Sequence, residues 1–596
     1  MSAYAAPVRD MAFALDELAG LRHLATLPGY EDATEDLVGA VLTEAGRFAG
    51  DVFAATNSAG DRSPAVLENG VVRTSPGFRE AYRQYVEAGW NAMPFAPEHG
   101  GQGLPWSVTM AVLEMLNSAN MALSLCPILN FGAVEAIAAH ATPADRALYL
   151  PRLVSGEWTG TMNLTEPQAG SDVGAVRTRA LPQADGSYRI HGQKIYITYG
   201  EHDLTENIVH LVLARLPDAP EGTRGISLFL VPKFIPDAEG RPGRRNDLRC
   251  VSLEHKLGIH GSPTCVMSFG DDEGAVGWLV GEENRGMACM FTMMNNARLV
   301  VGLQGVALAE RAYQQARDYA LARVQSRALD RPQDGPVAII AHPDVRRMLL
   351  TMRALTEGGR ALAYYTMGAL DRAKREPDGE ARAAAQAMVD LLTPVVKAWS
   401  TDRGVEVASL GIQVHGGMGF IEETGAAQHY RDVRITPIYE GTNGIQANDL
   451  VFRKLLRDGG QAMRALIGEI AATVEAVASV GNASIVKARL GLADGLAALE
   501  ETTDWLLRHG DDGLAAAAGA APYLRLVGTV VGGWGLTRQA IAAARAIEAG
   551  HGDVFHTSKL ATARFYAEHV MPGARADAAA ATAGAETTMS LPAEAF

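Results

Sequence analysis

The sequence predicts an α+β protein, mostly α, in which one β block stands between helical blocks. Three observations carry that expectation. Apolar residues recur three and four apart through most of the chain, as they do on the buried face of a helix. Between about residues 159 and 280 that spacing gives way to alternating, β-branched runs bounded by turn residues. The composition, 48% hydrophobic and 20% charged, belongs to a globular protein with a sizeable core rather than to a disordered or fibrous chain.

Taken in order, the stretch from Met11 to about Val154 reads as helical, with FREAYRQYVEAGW (78–90) and WSVTMAVLEMLNSANMAL (106–123) as its clearest segments. The loop between them, PFAPEHGGQGLP, is dense in Pro and Gly. The β block contains SYRIHGQKIYITYG, NIVHLVLARL, GISLFLVPK and PTCVMSFGD, each a strand with turn residues at its ends. Helical spacing returns at GMACMFTMMNNARLVVGLQ and continues to about Leu456; a second, Ala-rich helical block follows from near Gly459 to near Val570. The last residues, ADAAAATAGAETTMSLPAEAF, lack periodicity and are expected to be a mobile tail. The expected domains are therefore 1–158 helical, 159–280 β, 281–458 helical, 459–575 helical and 576–596 tail.

At 596 residues the chain has room for three or four domains. A net charge of −15 removes the usual electrostatic drive toward nucleic acid or an anionic membrane. The four cysteines (Cys126, Cys250, Cys265, Cys289) include no CxxC pair, which argues against a disulfide framework or a cysteine zinc site and makes the cytoplasm the expected compartment. Single histidines in HPDV and EHKLG lack metal-ligand spacing, so no metal is expected. The N-terminal segment carries Arg9, Asp10 and Asp16 where an export signal needs an apolar run. The most apolar region, 514–536, is interrupted by Pro522, Arg525 and Gly532–Gly533, and no membrane span is expected.

Four segments carry possible chemistry. In MNLTEPQAGSD (162–172), Thr165, Gly170 and Ser171 would let backbone N–H groups and hydroxyls approach a polar ring or phosphate; the same residues equally make a Pro/Gly turn with capping Ser and Asp. Tyr196 and Thr198 flank Ile197 at a strand end, where one could stack on a planar ligand and the other bond its edge, or both simply pack. QVHGGMG (413–419) has three glycines in four positions and suits a loop around a phosphate or adenosine, without being a GxGxxG or GxxxxGK[ST] motif; an interhelical turn is the alternative. In YEGTNGIQ (439–446), Glu440 is a candidate base or one member of an N-cap cluster. No GxSxG nucleophile elbow is present.

These four segments, in this order and around a β block, resemble the acyl-CoA dehydrogenase family, in which TEPxAGSD, an aromatic-Ile-Thr strand end, QxxGGxG and YEGT(S/N)xIQ together build one flavin site. The resemblance spans about residues 30–460. The extra helical block and the opening YAAPVRDM resemble a large-subunit subgroup of that family. It implies an N-terminal helical domain, a β-barrel-like middle domain, a C-terminal four-helix bundle and an additional helical domain, with non-covalent FAD between the β domain and the bundle.

The resemblance also implies roles. Met162, Asn163, Leu164, Thr165, Gly170 and Ser171 would line the flavin ring and ribityl chain, with Thr165 and Thr198 bonding ring positions, beside Ile197 and with Tyr196 where many members have Trp. Arg323 would meet the FAD pyrophosphate, near Gln325, and Gln413, Gly416 and Gly417 the adenosine half, both from the neighbouring subunit of a homodimer. Thr442 and Gly444 would complete the cofactor contacts. Glu440 matches the base; the alternative glutamate position on the preceding helix is Ala297 here, followed by Arg298. Ser171, Asn295, Arg298 and Gly441 match substrate contacts, although Asn295 stands where Asp is more usual. Val324-Gln325-Ser326 departs from a common aromatic-Gly pair. The implied reaction takes an acyl-CoA, 3-(methylthio)propanoyl-CoA first among them, to a trans-2-enoyl-CoA, with hydride passing to flavin N5 and electrons then to an electron-transfer flavoprotein. Two other readings are an acyl-CoA oxidase that uses O2 and a non-catalytic DNA-binding relative; against the latter, residues 461–596 hold 10 basic and 14 acidic side chains, a net of −4.

Overall fold

The computed structural model describes residues 4–596. They pack as two compact units that do not follow chain order: Phe48–Leu104 with Ala119–Ala297, and Met1–Arg47 with Pro105–Ser118 and Arg298–Phe596.

The first of these holds the β block. Across its eight-stranded sheet lie Leu248–Leu253, Thr264–Phe269, Tyr188–Thr198, Ala275–Val280, Ile226–Pro232, Ile208–Arg215 and Thr159–Asn163. Neighbours are antiparallel except Thr159–Asn163, which runs parallel to Ile208–Arg215. The eighth strand, Arg179–Pro182, pairs with both Tyr188–Thr198 and Ile208–Arg215, so five strands close into a ring and lose their open edges. One buried core cluster joins Ile190, Ile197, Val212, Phe229 and Val231 of these strands to Met267 and Phe269 of Thr264–Phe269. Ahead of the β block the sequence reads as helical throughout, but Val66–Glu68 and Val71–Arg73 form a hairpin. Its turn is Asn69-Gly70 with φ of 51° and 78°, the left-handed pair that a two-residue hairpin requires.

The other unit is helical. Pro343–Arg375, Gly379–His415 and the C-terminal part of Gly286–Ala322 run beside one another. A Cβ on Gly305 would fall 2.4 Å from the Ser400 carbonyl oxygen, so two helix backbones touch there. The additional block consists of Gln461–Ala476, Ala483–Arg508, Gly513–Glu548, Val554–His569 and Gly573–Ala581. Gly513–Glu548 is one helix straight through Pro522, Arg525 and Gly532–Gly533. Gly528 lies against the Trp399 ring, where a Cβ would stand 2.3 Å from Cγ, and Arg525 finds Asp577 at 3.0 Å. One expectation needs correction: the tail does not begin at residue 576, because Gly573–Ala581 is helix, with Ala574 and Ala581 buried.

By length and apolarity alone, Trp106–His140 and Gly513–Glu548 would suffice to cross a membrane. Their apolar stretches are instead 89% and 67% buried inside the protein. The first is interrupted at Asn120 (φ −157°, ψ 92°), whose Oδ1 accepts from the Leu123 N–H and so starts a new helix.

A buried ion network ties the ends of the chain to the bundle. Arg360 bonds Glu114 at 2.9 and 2.6 Å, Asp10 at 2.7 Å and Glu310 at 2.9 Å, while Lys559 reaches both Asp10 and, at 2.9 Å, Glu357. Asp10 lies in the first helix and Lys559 in the additional block.

Candidate active site

In the β unit, the 162–171 segment and the Tyr196–Thr198 strand end are brought together. The Ile195 N–H donates to the Thr165 carbonyl at 2.9 Å, and Thr161 Oγ1 donates to the Thr198 carbonyl at 2.7 Å. Beneath the loop, Glu166 is clamped. Its carboxylate accepts from Lys194 Nζ at 2.8 Å, the Arg177 N–H at 2.7 Å, the Thr178 N–H at 3.1 Å and Thr178 Oγ1 at 2.6 Å. Lys194 Nζ also bonds the Leu164 carbonyl at 3.0 Å. Burial works to raise the Glu166 pKa, but Lys194 and the hydrogen bonds overcome it and hold the group at about 2.

Above this clamp, Met162, Leu164 and Thr165 are half-buried, and Gly170 and Ser171 exposed. Asn163 differs: its side chain is sealed inside, with Nδ2 3.3 Å from His210 Nδ1, leaving only its backbone for a ligand. Tyr196 is exposed with a left-handed φ of 59°; Ile197 is buried and Thr198 half-buried. The register against Thr264–Phe269 slips here, Cys265 facing Ile197 but Met267 facing Lys194, so one extra residue bulges out of the strand. The bulge allows Lys194 to point in while Tyr196 points out.

In the helical unit, Glu440 stands at the tip of a loop ahead of the short helix Asn443–Asn448. Its φ is 57°, a conformation costing a non-glycine residue roughly 1–2 kcal/mol, and Gly441 follows at 84°. Two anchors hold the strained turn. On one side the Tyr439 hydroxyl donates to Gln304 Oε1, and Gln304 Nε2 donates to Asn117 Oδ1 at 3.2 Å. On the other, Asn443 Nδ2 meets the Ala398 carbonyl at 3.1 Å, Thr401 Oγ1 at 3.1 Å and Asp402 Oδ1 at 2.7 Å, and its Oδ1 accepts from Lys397 Nζ at 2.8 Å. Gln446 Nε2 donates to the Glu440 carbonyl at 3.1 Å.

The N-cap role belongs to Thr442, whose Oγ1 accepts from the Ile445 N–H at 3.4 Å. Among the described residues no hydrogen bond or ion pair within 4 Å takes up the Glu440 carboxylate. Burial raises its pKa above the ordinary glutamate range, and Arg298 and then Lys397 pull it back without cancelling the shift. Arg298 is 7% exposed and lies 3.8 Å from Asp449. Asn295, one turn earlier on the same helix, is exposed.

The remaining candidates are on the surface of this unit. Arg323 and Gln325 sit where Gly286–Ala322 passes into an exposed hairpin, Arg323 Nη2 donating to Gln325 Oε1 at 3.3 Å. Gln413, Gly416 and Gly417 are exposed at the end of Gly379–His415, next to a cavity of about 470 Å³ lined by Gln315, Asp318, Tyr319, His415 and Met418. At Gly170, Gly416, Gly417 and Gly444 no atom lies within 4 Å of where a Cβ would stand. Internal packing explains glycine at none of the four, but at Gly416 the backbone does, with φ 60° and ψ −139°. Open backbone there fits a ligand that presses close, as a phosphate or ring edge does.

Family models match in chain order: acyl-CoA dehydrogenase N-terminal domain over 64–157, middle domain over 161–271 and C-terminal domain over 284–455, then an acetyl-CoA dehydrogenase C-terminal-like domain over 466–592. The 3-methylmercaptopropionyl-CoA dehydrogenase of Ruegeria pomeroyi is 52% identical over 95% of this chain and 96% of its own length. The chain belongs to the acyl-CoA dehydrogenase family. This acyl-CoA dehydrogenase is also 37% identical to the broad-specificity linear acyl-CoA dehydrogenase FadE5 of Mycobacterium tuberculosis, over 96% of both chains. Among solved structures, Caenorhabditis elegans ACDH-11 in complex with C11-CoA superposes with a TM-score of 0.77 over 96% of this chain and 93% of that one, at 21% identity. The acyl-CoA dehydrogenase complexed with FAD from Bacillus anthracis gives 0.68 over 85% and 83%, also at 21%. These last two bear on the fold of this dehydrogenase, an oxidoreductase acting on acyl-CoA.

Sequence reasoning missed Glu166, Lys194, Gln304, Lys397 and Asn443 as supports. Lys194 alone left a readable signal, a charge on the inward parity of Ile190 in an otherwise apolar-in strand.

Proposed function

We propose that this chain is an FAD-dependent α,β-dehydrogenase of short acyl-CoA thioesters, with 3-(methylthio)propanoyl-CoA as its first candidate substrate and Glu440 as the base. One observation carries the assignment of the base: a carboxylate held in a strained turn from both sides, engaged by no hydrogen bond, with two cations facing it. A glutamate serving only the fold would be expected to use its oxygens.

The α-C–H of a thioester is a very weak acid, so its removal needs help at two places. Burial makes the Glu440 carboxylate a stronger base than an ordinary glutamate. The Glu440 backbone N–H, which makes no hydrogen bond among the described residues, is suited to the thioester oxygen; a donor there is worth about 3–4 kcal/mol to the developing enolate. Arg298 and Lys397 keep the carboxylate ionised until the proton arrives. The backbone of 162–171, with Tyr196 and Thr198, would hold the flavin ring, and Arg323, Gln325, Gln413, Gly416 and Gly417 would hold the rest from a second copy of the chain. Bound FAD supplies the acceptor for the β-hydride.

The 52% identity to the Ruegeria enzyme supports the methylthio substrate; the broad-specificity FadE5 supports other linear acyl chains as the next class. A panel of acyl-CoAs assayed with a dye acceptor decides between them. Dye reduction fastest with 3-(methylthio)propanoyl-CoA is the expected result, and no reduction with any acyl-CoA would reject the proposal. Repeating the assay in air without dye separates a dehydrogenase from a peroxide-forming oxidase.

A further inference from the structure

Beyond its charge, Lys397 occupies a distinctive place beside the loop that carries Glu440. It lies mid-way along Gly379–His415, fully buried, in an environment where an unpaired ammonium is costly. Among the described residues, its one hydrogen bond to a side chain is the 2.8 Å contact to Asn443 Oδ1, a neutral acceptor. Asn443 is three residues past Glu440, and its amide nitrogen is already committed to Ala398, Thr401 and Asp402 of the same helix. The helix thus grips the loop through one asparagine, with the lysine closing the grip.

We infer that Lys397 is a positioning residue for the dehydrogenation: through Asn443 it fixes the loop that carries Glu440. With Arg298, its ammonium also opposes protonation of that carboxylate. The inference rests on Glu440 being the base. A lysine serving only the packing of the bundle would be replaceable by methionine, and a lysine serving only a salt bridge would contact a carboxylate within 4 Å. Lys397 instead stops at the amide. Burial draws its pKa down to about 7, with Glu440 and Asp402 opposing and Arg298 adding to the fall, so its charge responds near neutrality. The other charged groups around the pair are accounted for. Asp449 and Arg453 face Arg298 with opposite effects, and Arg403 and Arg525 offset Asp402.

The test uses the FAD-loaded protein and reads Glu440 directly. Carbodiimide attacks protonated carboxyls, and the tryptic peptide 435–453 holds Glu440 and Asp449, which fragmentation tells apart. In wild type the pH midpoint of Glu440 modification is measured beside the acid limb of kcat/KM. Lys397→Gln keeps a donor for Asn443 and removes the charge; Lys397→Met removes both. Both variants should move the midpoint upward by about tenfold in proton affinity and carry the kcat/KM limb with it, while Lys397→Arg returns it toward wild type. The Met variant should in addition lose kcat at its optimum pH, because the loop is released. A folded Gln variant with an unchanged midpoint overturns the inference, even if its Tm falls; should Gln not fold, the Met variant decides. If wild type shows no acyl-CoA-dependent flavin reduction at all, the base assignment fails, whereas the labelling midpoint still reports whether Lys397 acts on Glu440.

Discussion

Lys194 Nζ and Glu166 Oε1 lie 2.8 Å apart beneath the 162–171 loop, their side chains 0% and 4% exposed. The pair converts a flexible Pro/Gly segment into a fixed surface. Removing one partner strands the other, at a cost of about 3–5 kcal/mol. Glu166→Gln should therefore lower the unfolding free energy by that order and release flavin on dilution. Glu166→Leu combined with Lys194→Met should recover much of the stability without recovering flavin retention. The pH effect has a definite sign: the Glu166 pKa is lowered to about 2, so its contribution is complete above the ordinary carboxyl range and disappears as pH falls from about 4.5 to 2. Urea midpoints across that window check it, and a Glu166→Gln protein as stable as wild type at pH 7 would contradict it.

Glu440→Gln should keep FAD and acyl-CoA affinity and lose nearly all flavin bleaching, since an amide of the same shape cannot take the α-proton. In wild type, the Glu440 pKa is raised by burial, so the acid limb of kcat/KM should fall at a pH above the ordinary glutamate value and be absent from any residual activity of the variant. Anaerobic stopped-flow reduction measures both.

Gly441→Ala should damage activity more than stability. At φ 84° a Cβ is strained, and it would stand 2.8 Å from Gln446 Nε2, the group that holds the Glu440 carbonyl. Swinging the Gln446 amide aside relieves the contact but frees the Glu440 carbonyl, and relieving the φ strain shifts the loop itself. A strain of roughly 1–2 kcal/mol in Tm-derived stability, with a fall of at least tenfold in kcat, is the expected pattern; an unchanged kcat would show that the turn tolerates movement.

These results bear on what was legible before any coordinates. Period-2 and period-3.6 patterns exposed the β block and the long helices because each element buries one face, and burial leaves its mark on every second or third residue. The Val66–Arg73 hairpin escaped notice although Asn69-Gly70 announced it, because its strands are three residues long and leave no period to read. At the site, Glu440 was legible from its motif, but its supports were not. Lys397 and Gln304 are 43 and 136 residues from Glu440 and single members of ordinary helical stretches, so only the packed structure brings them to the loop.

The proposed homodimer makes its own prediction. Phe420 is 87% exposed beside Met418 and Ile421, next to the Gln413–Gly417 loop, and Leu321, Val324 and Leu329 are exposed around Arg323. Exposed apolar groups this large, placed at both segments expected to meet a second copy's flavin, are what the proposed dimer would bury. Phe420→Asp combined with Val324→Asp should yield a folded monomer that loses FAD, seen as a halved mass in sedimentation and a flavin-to-protein ratio well below that of wild type. A variant that stays dimeric and fully yellow would place the second copy elsewhere.

The additional helical block should prove inseparable from the bundle. Arg360 is nearly sealed, and its guanidinium serves Glu114, Asp10 and Glu310 at once, while Lys559 of the additional block completes the same cluster. Arg360→Met leaves three carboxylates facing one another with a single cation, so the loss should be at the upper end of the 3–5 kcal/mol seen when a buried pair is broken. Lys559→Met removes the cation that serves two carboxylates, Asp10 and Glu357, rather than three and should cost less. The intact protein should unfold in one calorimetric transition. If the network is what joins the block to the bundle, breaking it uncouples the two, so both variants should show a second, separate transition at lower temperature, and adding Asp10→Asn to Lys559→Met should restore part of the coupling. A single transition in both variants would mean that the block holds to the bundle chiefly through Gly528 and Trp399, and that the ion cluster is secondary.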